Sequence, residues 1–159
     1  MAAPGSDIPA GFSAIDGIYA RSFVAHIGPF YAREDEGGLC VAVRAQTHQC
    51  NPFGELHGGF IMALADFVCA YGLLRGPNPV PTIVTIQLGT QMIAGARLGD
   101  WVEVRPSLRR QGRSIAFVAC EFTVGDRLIA TADGVFRVLS KEAVASRFQR
   151  RQELLGSTP

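Results

Sequence analysis

NPFGELHGGFIMALADF, residues 51–67, passes from a Gly- and Pro-bearing loop into an almost wholly apolar run. Phe60, Ile61, Met62, Leu64, Phe67, Val68, Tyr71 and Leu73 fall on every side of a helix of period 3.6. The spacing therefore predicts a helix that is enclosed rather than laid on a surface. Between Gly58 and Leu74 its only charged side chain is Asp66. A sheet curved around the helix would supply the enclosure.

The flanking sequence provides such a sheet. PFYAREDEGG (29–38) reads as a strand ending in an acidic, glycine-marked turn. LCVAVRAQ (39–46) alternates, with Leu39, Val41 and Val43 on one face and Arg44 and Gln46 on the other, the pattern of a half-buried strand. After the turn-rich RGPNPVP, four more strand segments follow: TIVTIQLGTQMI, DWVEVRPSLRRQ, RSIAFVACEFTV and RLIATADGVFRVL. Gln-Gly-Arg at 111–113 and Val-Gly-Asp at 124–126 suit the turns of antiparallel hairpins. Upstream, Phe12, Ile15, Ile18, Tyr19 and Phe23 recur at helical spacing, with Ser13 and Asp16 placed to cap. The last segment, KEAVASRFQRRQELL, is charged and favours a surface helix. The order of helix, two strands, long apolar helix, four strands and tail gives an α+β class, one antiparallel sheet with one helix packed against it. The expected organisation is an N-terminal helical segment over 1–27, the main domain over 28–140 and a C-terminal helical tail over 141–159.

Composition narrows the function. A chain of 159 residues with 48% hydrophobic content can bury one sizeable core. Its 15 basic and 14 acidic residues leave a net charge of +1, which offers no electrostatic reason to expect nucleic acid or an anionic membrane as partner. Cys40, Cys50, Cys69 and Cys120 are widely spaced and read as free thiols of a reducing compartment. His48 and Cys50 form one H-x-C pair with no second pair to complete a zinc site. MAAPGSDIPAGF has neither a basic n-region nor an apolar h-region, and the run from Gly58 to Leu74 is short for a bilayer and charged at its centre. A cytoplasmic protein is expected.

Asp66 lies two turns inside its helix, so it is not a cap, and aspartate is a poor interior helix former. Its burial requires an arginine partner, a solvated cleft or a chemical role. At the other end of the helix, the HGG sequence stands where backbone N–H groups point out unpaired at the positive end of the dipole. Glycines there either ease a tight loop into the helix or let a ligand oxygen approach those groups. Gly58 and Asp66 are eight residues apart, about 12 Å along the axis at the usual rise. That is too far for an oxyanion donor and a base to act on one carbonyl. Two such helices running side by side in opposite senses would bring Asp66 of one to Gly58 of the other.

N-P-x-G-x-x-H-G-G followed by A-L-A-D, with A-R-L-G-D (96–100) and R-x-Q-G-R-S (109–114), resembles the hotdog-fold acyl-CoA thioesterases of the phenylacetate-degradation (PaaI) type, in the 4-hydroxybenzoyl-CoA thioesterase superfamily. The resemblance spans about residues 30 to 139. It implies an antiparallel sheet wrapped around a long central helix, homodimers sharing two active sites and commonly paired into homotetramers, an acyl-CoA substrate, and no metal or redox cofactor. It further implies that Gly58 supplies the oxyanion donor and that Asp66 of the opposite subunit is nucleophile or general base. Asn51 matches a polar residue that places substrate or water, and Thr85 falls where relatives carry a Ser or Thr that orients water. His57 would fix the loop, while Gly59, Arg110, Arg113 and Ser114 would belong to the substrate-binding surface. The tip carrying Arg109, Arg110 and Arg113 would meet coenzyme A phosphates, or is a solvated hairpin end.

Two further functions fit the same fold. A hotdog hydratase or dehydratase would pair a His with a carboxylate on the acyl chain, and neither His26 nor His48 sits in a matching motif. A non-catalytic acyl-CoA-binding protein would have no use for a carboxylate on the apolar helix.

Overall fold

The computed structural model describes residues 8–15 and 22–156. Seven strands form one antiparallel sheet: β1 (Ser13–Ala14), β2 (Tyr31–Asp35), β3 (Gly38–Arg44), β4 (Ile83–Met92), β5 (Trp101–Gln111), β6 (Ile115–Val124) and β7 (Arg127–Val138). Their spatial order is β1-β2-β3-β5-β6-β7-β4, which leaves β4 on an edge. The helices are α1 (Phe23–Ile27), α2 (Gly58–Arg75) and α3 (Lys141–Gly156), the last lying within the expected tail. Alternation sets which face of each strand is covered. Ala116, Val118, Cys120 and Phe122 of β6 are buried beneath α2, together with Ile129, Ala130, Ala132 and Phe136 from β7. Full burial of a side chain such as Phe122 or Leu64 contributes about 1.5–3 kcal/mol. The β6–β7 hairpin turns at Gly125, whose φ of +56° suits glycine.

α2 packs on β4, β5, β6 and β7, the hotdog arrangement that the resemblance implies. Gly72 makes the approach possible, since a Cβ there would lie 2.9 Å from Pro106 of β5. The sheet does not enclose the helix completely, which corrects the expectation from composition. Gly59, Met62, Ala63, Asp66 and Ala70 recur at helical spacing and leave one stripe open, with Met62 45% exposed. Next to this stripe the free edge carries Ile86, Met92 and Ile93, each about half exposed.

Two other expectations change. Phe12 and Ser13 do not begin a helix: Ser13 and Ala14 pair with Ala32 and Tyr31 as β1, and the described helix is limited to Phe23–Ile27. Asp16, Ile18 and Tyr19 lie outside the described residues. β3 is also not half-buried. Cys40, Val41, Ala42 and Val43 are all covered, because Phe12, Tyr31 and Trp101 build a second small core on the outer face of the sheet. The Phe12 and Trp101 rings meet edge to face at 5.1 Å. Beside them Arg105 clasps Asp35 through two hydrogen bonds of 2.9 and 2.7 Å, which holds that carboxyl well below the usual range, at about 2.

Candidate active site

The start of α2 is built by a loop that folds back on itself. Asn51 N–H donates to Glu55 O at 2.7 Å and His57 N–H to Gln49 O at 2.9 Å, so Asn51 stands opposite Glu55 and Gln49 opposite His57, with the Cys50–Leu56 bridge between them. Gln49, only 2% exposed, is anchored in turn: its amide donates to Ile27 O at 2.7 Å and its Oε1 accepts from Gln46 N–H at 2.8 Å. The Asn51 Oδ1 accepts from the N–H groups of Phe53 and Glu55 at 2.9 and 3.2 Å, an Asx-type turn. Its Nδ2 makes no hydrogen bond among the described residues.

His57 is the N-cap of α2. Its Nδ1 accepts from Gly59 N–H at 3.0 Å, and its carbonyl accepts from Phe60 and Ile61 N–H at 2.9 and 3.1 Å. His57 thus satisfies three of the first four donors of the helix. The fourth is Gly58, half-buried, whose N–H has no acceptor among the described residues. Gly59 was expected at the substrate, but its N–H is taken by His57, so it can offer only steric room there.

Two turns on, Asp66 is half-buried on the open stripe. The Thr85 hydroxyl of β4 donates to its Oδ1 at 2.7 Å. No Lys or Arg pairs with Asp66 among the described residues, so no described cation accounts for its place in the helix. Strand register makes the contact: Thr85 stands opposite Phe136 and shares its inward face. Gly58 lies toward the other end of β4, where a Cβ would be 3.3 Å from Met92 Cε. One chain therefore brings Asp66 to Thr85 and leaves Gly58 toward the other end of β4.

Arg110, Arg113 and Ser114 stand exposed at the β5–β6 hairpin tip. The cross-sheet row Thr85, Phe136, Ala116, Gln111 puts this tip at the Asp66 end of the sheet, three strands from Thr85. Arg110 and Arg113 have no ion pair among the described residues. Cys40 and Cys69 are buried free thiols. Contact with Cys120, together with burial, pushes Cys69 well up, and burial first, then the nearby Glu103 carboxylate, pushes Cys40 up to about 12.

The sequence model of the thioesterase superfamily matches residues 53–131, from the Asn51 loop through β6 into β7. A candidate esterase of Pseudomonas aeruginosa is 33% identical over 133 residues, covering 83% of this chain and 98% of that protein. The chain belongs to the thioesterase superfamily. Human acyl-coenzyme A thioesterase 13 is 24% identical over 87 residues, 55% of this chain and 61% of that protein. Among solved structures, a phenylacetic acid degradation-related candidate thioesterase of Ralstonia eutropha superposes with a TM-score of 0.64 at 25% identity, covering 72% of this chain and 88% of that one. As a member of this superfamily the protein is a thioester hydrolase.

Proposed function

We propose that this thioesterase hydrolyses acyl-coenzyme A in sites shared across a homodimer, each formed by Asp66 and Thr85 of one subunit with Gly58 and Asn51 of its partner. The observation that carries the reading is Asp66 itself: a carboxylate on an open helix stripe, aligned by a hydroxyl at 2.7 Å and neutralised by no cation among the described residues. The unused Gly58 N–H supplies the complementary donor, and the name of acyl-coenzyme A thioesterase 13 supports the substrate class. In this mechanism Thr85 fixes Oδ1, and the free oxygen of Asp66 takes a proton from water as the water oxygen attacks the thioester carbon. The developing oxyanion is held by Gly58 N–H of the partner. Collapse expels the thiolate, which recovers the proton from Asp66, leaving a carboxylic acid and coenzyme A. A thiol-release assay over a panel of acyl-CoAs tests the activity; absence of release from every member would end this reading.

Sharing has its own test. Asp66→Ala and Gly58→Pro chains, each inactive alone, are expected to regain up to about half of wild-type activity per mixed dimer when refolded together, since one site then contains both intact groups. No recovery in verified mixed dimers would place both groups in one chain. The exposed Met62, Ile86, Met92 and Ile93 around the β4 edge offer the apolar surface for such a dimer, and pairing of dimers into a tetramer is part of the same proposal.

The arginine tip would bind the phosphates of coenzyme A. Replacing both Arg110 and Arg113 with Ala should raise KM for acyl-CoA about tenfold or more, at ~1.5–3 kcal/mol for a charge-assisted hydrogen bond. Short acyl thioesters lacking the nucleotide should be hydrolysed as before. Equal losses on both kinds of substrate would remove the tip from the site.

A further inference from the structure

Among the described residues Gln49 is the one polar side chain that is buried, at 2% exposed, and the hydrolytic step gives it no part. A buried amide costs stability unless it is paired. Its Nε2 donates to Ile27 O, 22 residues back in the chain, and its Oε1 accepts from Gln46 N–H across the single 3-10 turn Thr47–Gln49. The Ile27 end is itself fixed on α2. Three residues later Phe30 is buried and stacks on Phe60 and Phe67, with ring centroids 6.4 and 5.1 Å apart. The backbone carbonyl of Gln49 in turn accepts from His57 N–H at 2.9 Å. The contacts close a circuit: α2 holds Phe30, the residues before Phe30 hold Gln49, and Gln49 holds the residue that caps α2.

We infer that Gln49 is a positioning residue for the hydrolysis, one that aims the Gly58 N–H. The inference rests on that N–H being the oxyanion donor. The Gly58 N–H belongs to the peptide plane that begins at the His57 carbonyl, so its direction follows from how the His57 backbone is held. Downstream, that carbonyl accepts from Phe60 and Ile61 N–H; upstream, the hold on His57 is the bond to Gln49 O. An oxyanion donor must stand about 2.7–3.1 Å from the charge that develops, and a site of this kind tolerates a displacement of about 0.5 Å. Loosening the anchor therefore acts on kcat rather than on KM, because the donor works on charge present only in the transition state. Gln49 itself meets no reacting atom, since its amide is covered and turned back to Ile27.

The test is a double-mutant cycle in the full chain between Gln49→Met and Gly58→Pro, read as kcat and KM on acyl-CoA. Met keeps about the length of the side chain and removes both amide hydrogen bonds. Alone, Gln49→Met should lower kcat by up to about 10²-fold, the scale of a 1 Å misplacement, with KM nearly unchanged. On Gly58→Pro, which has no N–H left to aim, it should change kcat by no more than about twofold, the error of such cycles. A purely structural role would lower both backgrounds by the same factor. That outcome overturns the inference, as does an unchanged kcat in Gln49→Met. Gln49→Asn, whose amide is one methylene shorter, carries the same cycle if the Met variant does not fold; if neither folds, Gln49 serves the core alone and the inference fails. The two readings separate cleanly. A Gly58→Pro chain with wild-type kcat ends the oxyanion reading and Gln49 with it, whereas a slow Gly58→Pro chain that Gln49→Met slows further by its full factor removes only Gln49.

Discussion

Asp66→Ala is expected to lower kcat on acyl-CoA by about 10²–10⁴-fold, the usual cost of removing a positioned general base. KM should change little, because the carboxylate acts mainly in the transition state. The fold should survive. The substitution removes one hydrogen bond, from Thr85, worth ~1 kcal/mol, and replaces a poor helix former with the best one, a gain of up to ~0.7 kcal/mol. The thermal midpoint should therefore move by only a few degrees. A buried ion pair broken by the same substitution would instead cost ~3–5 kcal/mol, and no cation accompanies Asp66 among the described residues. Asp66→Asn sharpens the comparison, because its amide oxygen still accepts from Thr85 while the group is no longer a base. It should be as slow as the Ala variant. A folded Asn variant with near-normal kcat would end the catalytic role of Asp66.

The sheet could be read from sequence because its strands alternate and its hairpins are marked by glycine. TIVTIQLGTQMI over 82–93 became β4 at Ile83–Met92, and RLIATADGVFRVL over 127–139 became β7 at Arg127–Val138. Where two periods fit equally well, the reading failed. Phe12 and Ile15 satisfy a helical spacing, but Phe12 serves as the cover of an outer-face cluster whose other wall, Trp101, lies 89 residues away. Tertiary packing of that kind leaves no local signal. The same gap explains β3, which alternates like a half-buried strand yet is covered on both sides.

The site was legible in part. The axial distance between Gly58 and Asp66 follows from helix geometry alone, and it separates them in the folded chain as it does on paper. The Thr85–Asp66 contact crosses a turn-rich connector, so no periodicity predicts it; only the resemblance put Thr85 near the chemistry. Gln49 carried no signal either, although its carbonyl and side chain anchor the loop before α2. Which first-turn donor stays free was also hidden, because HGG does not reveal that the His57 ring claims Gly59 rather than Gly58.

That last detail gives the second large effect. Gly58 occupies the first position of α2, where proline is favoured because its ring presets φ and the missing N–H has no partner inside the helix. The preceding residue must be extended, and His57 already is, at φ −68° and ψ 136°. Gly58→Pro should therefore fold as well as the wild type while deleting the N–H of the first turn that finds no acceptor among the described residues. If that N–H holds the oxyanion, kcat should fall by about 10²–10³-fold, as for the loss of one oxyanion donor. Gly58→Ala is the control for bulk. It keeps the N–H, and its Cβ would lie 3.3 Å from the terminal methyl of Met92, a flexible group that can move by a few tenths of an ångström. The Ala variant should thus retain far more activity than the Pro variant at a similar thermal midpoint. If both variants are equally slow, the defect is crowding at the start of α2; if both are equally fast, the thioester carbonyl is polarised elsewhere and the dimer geometry argued from Gly58 fails with it.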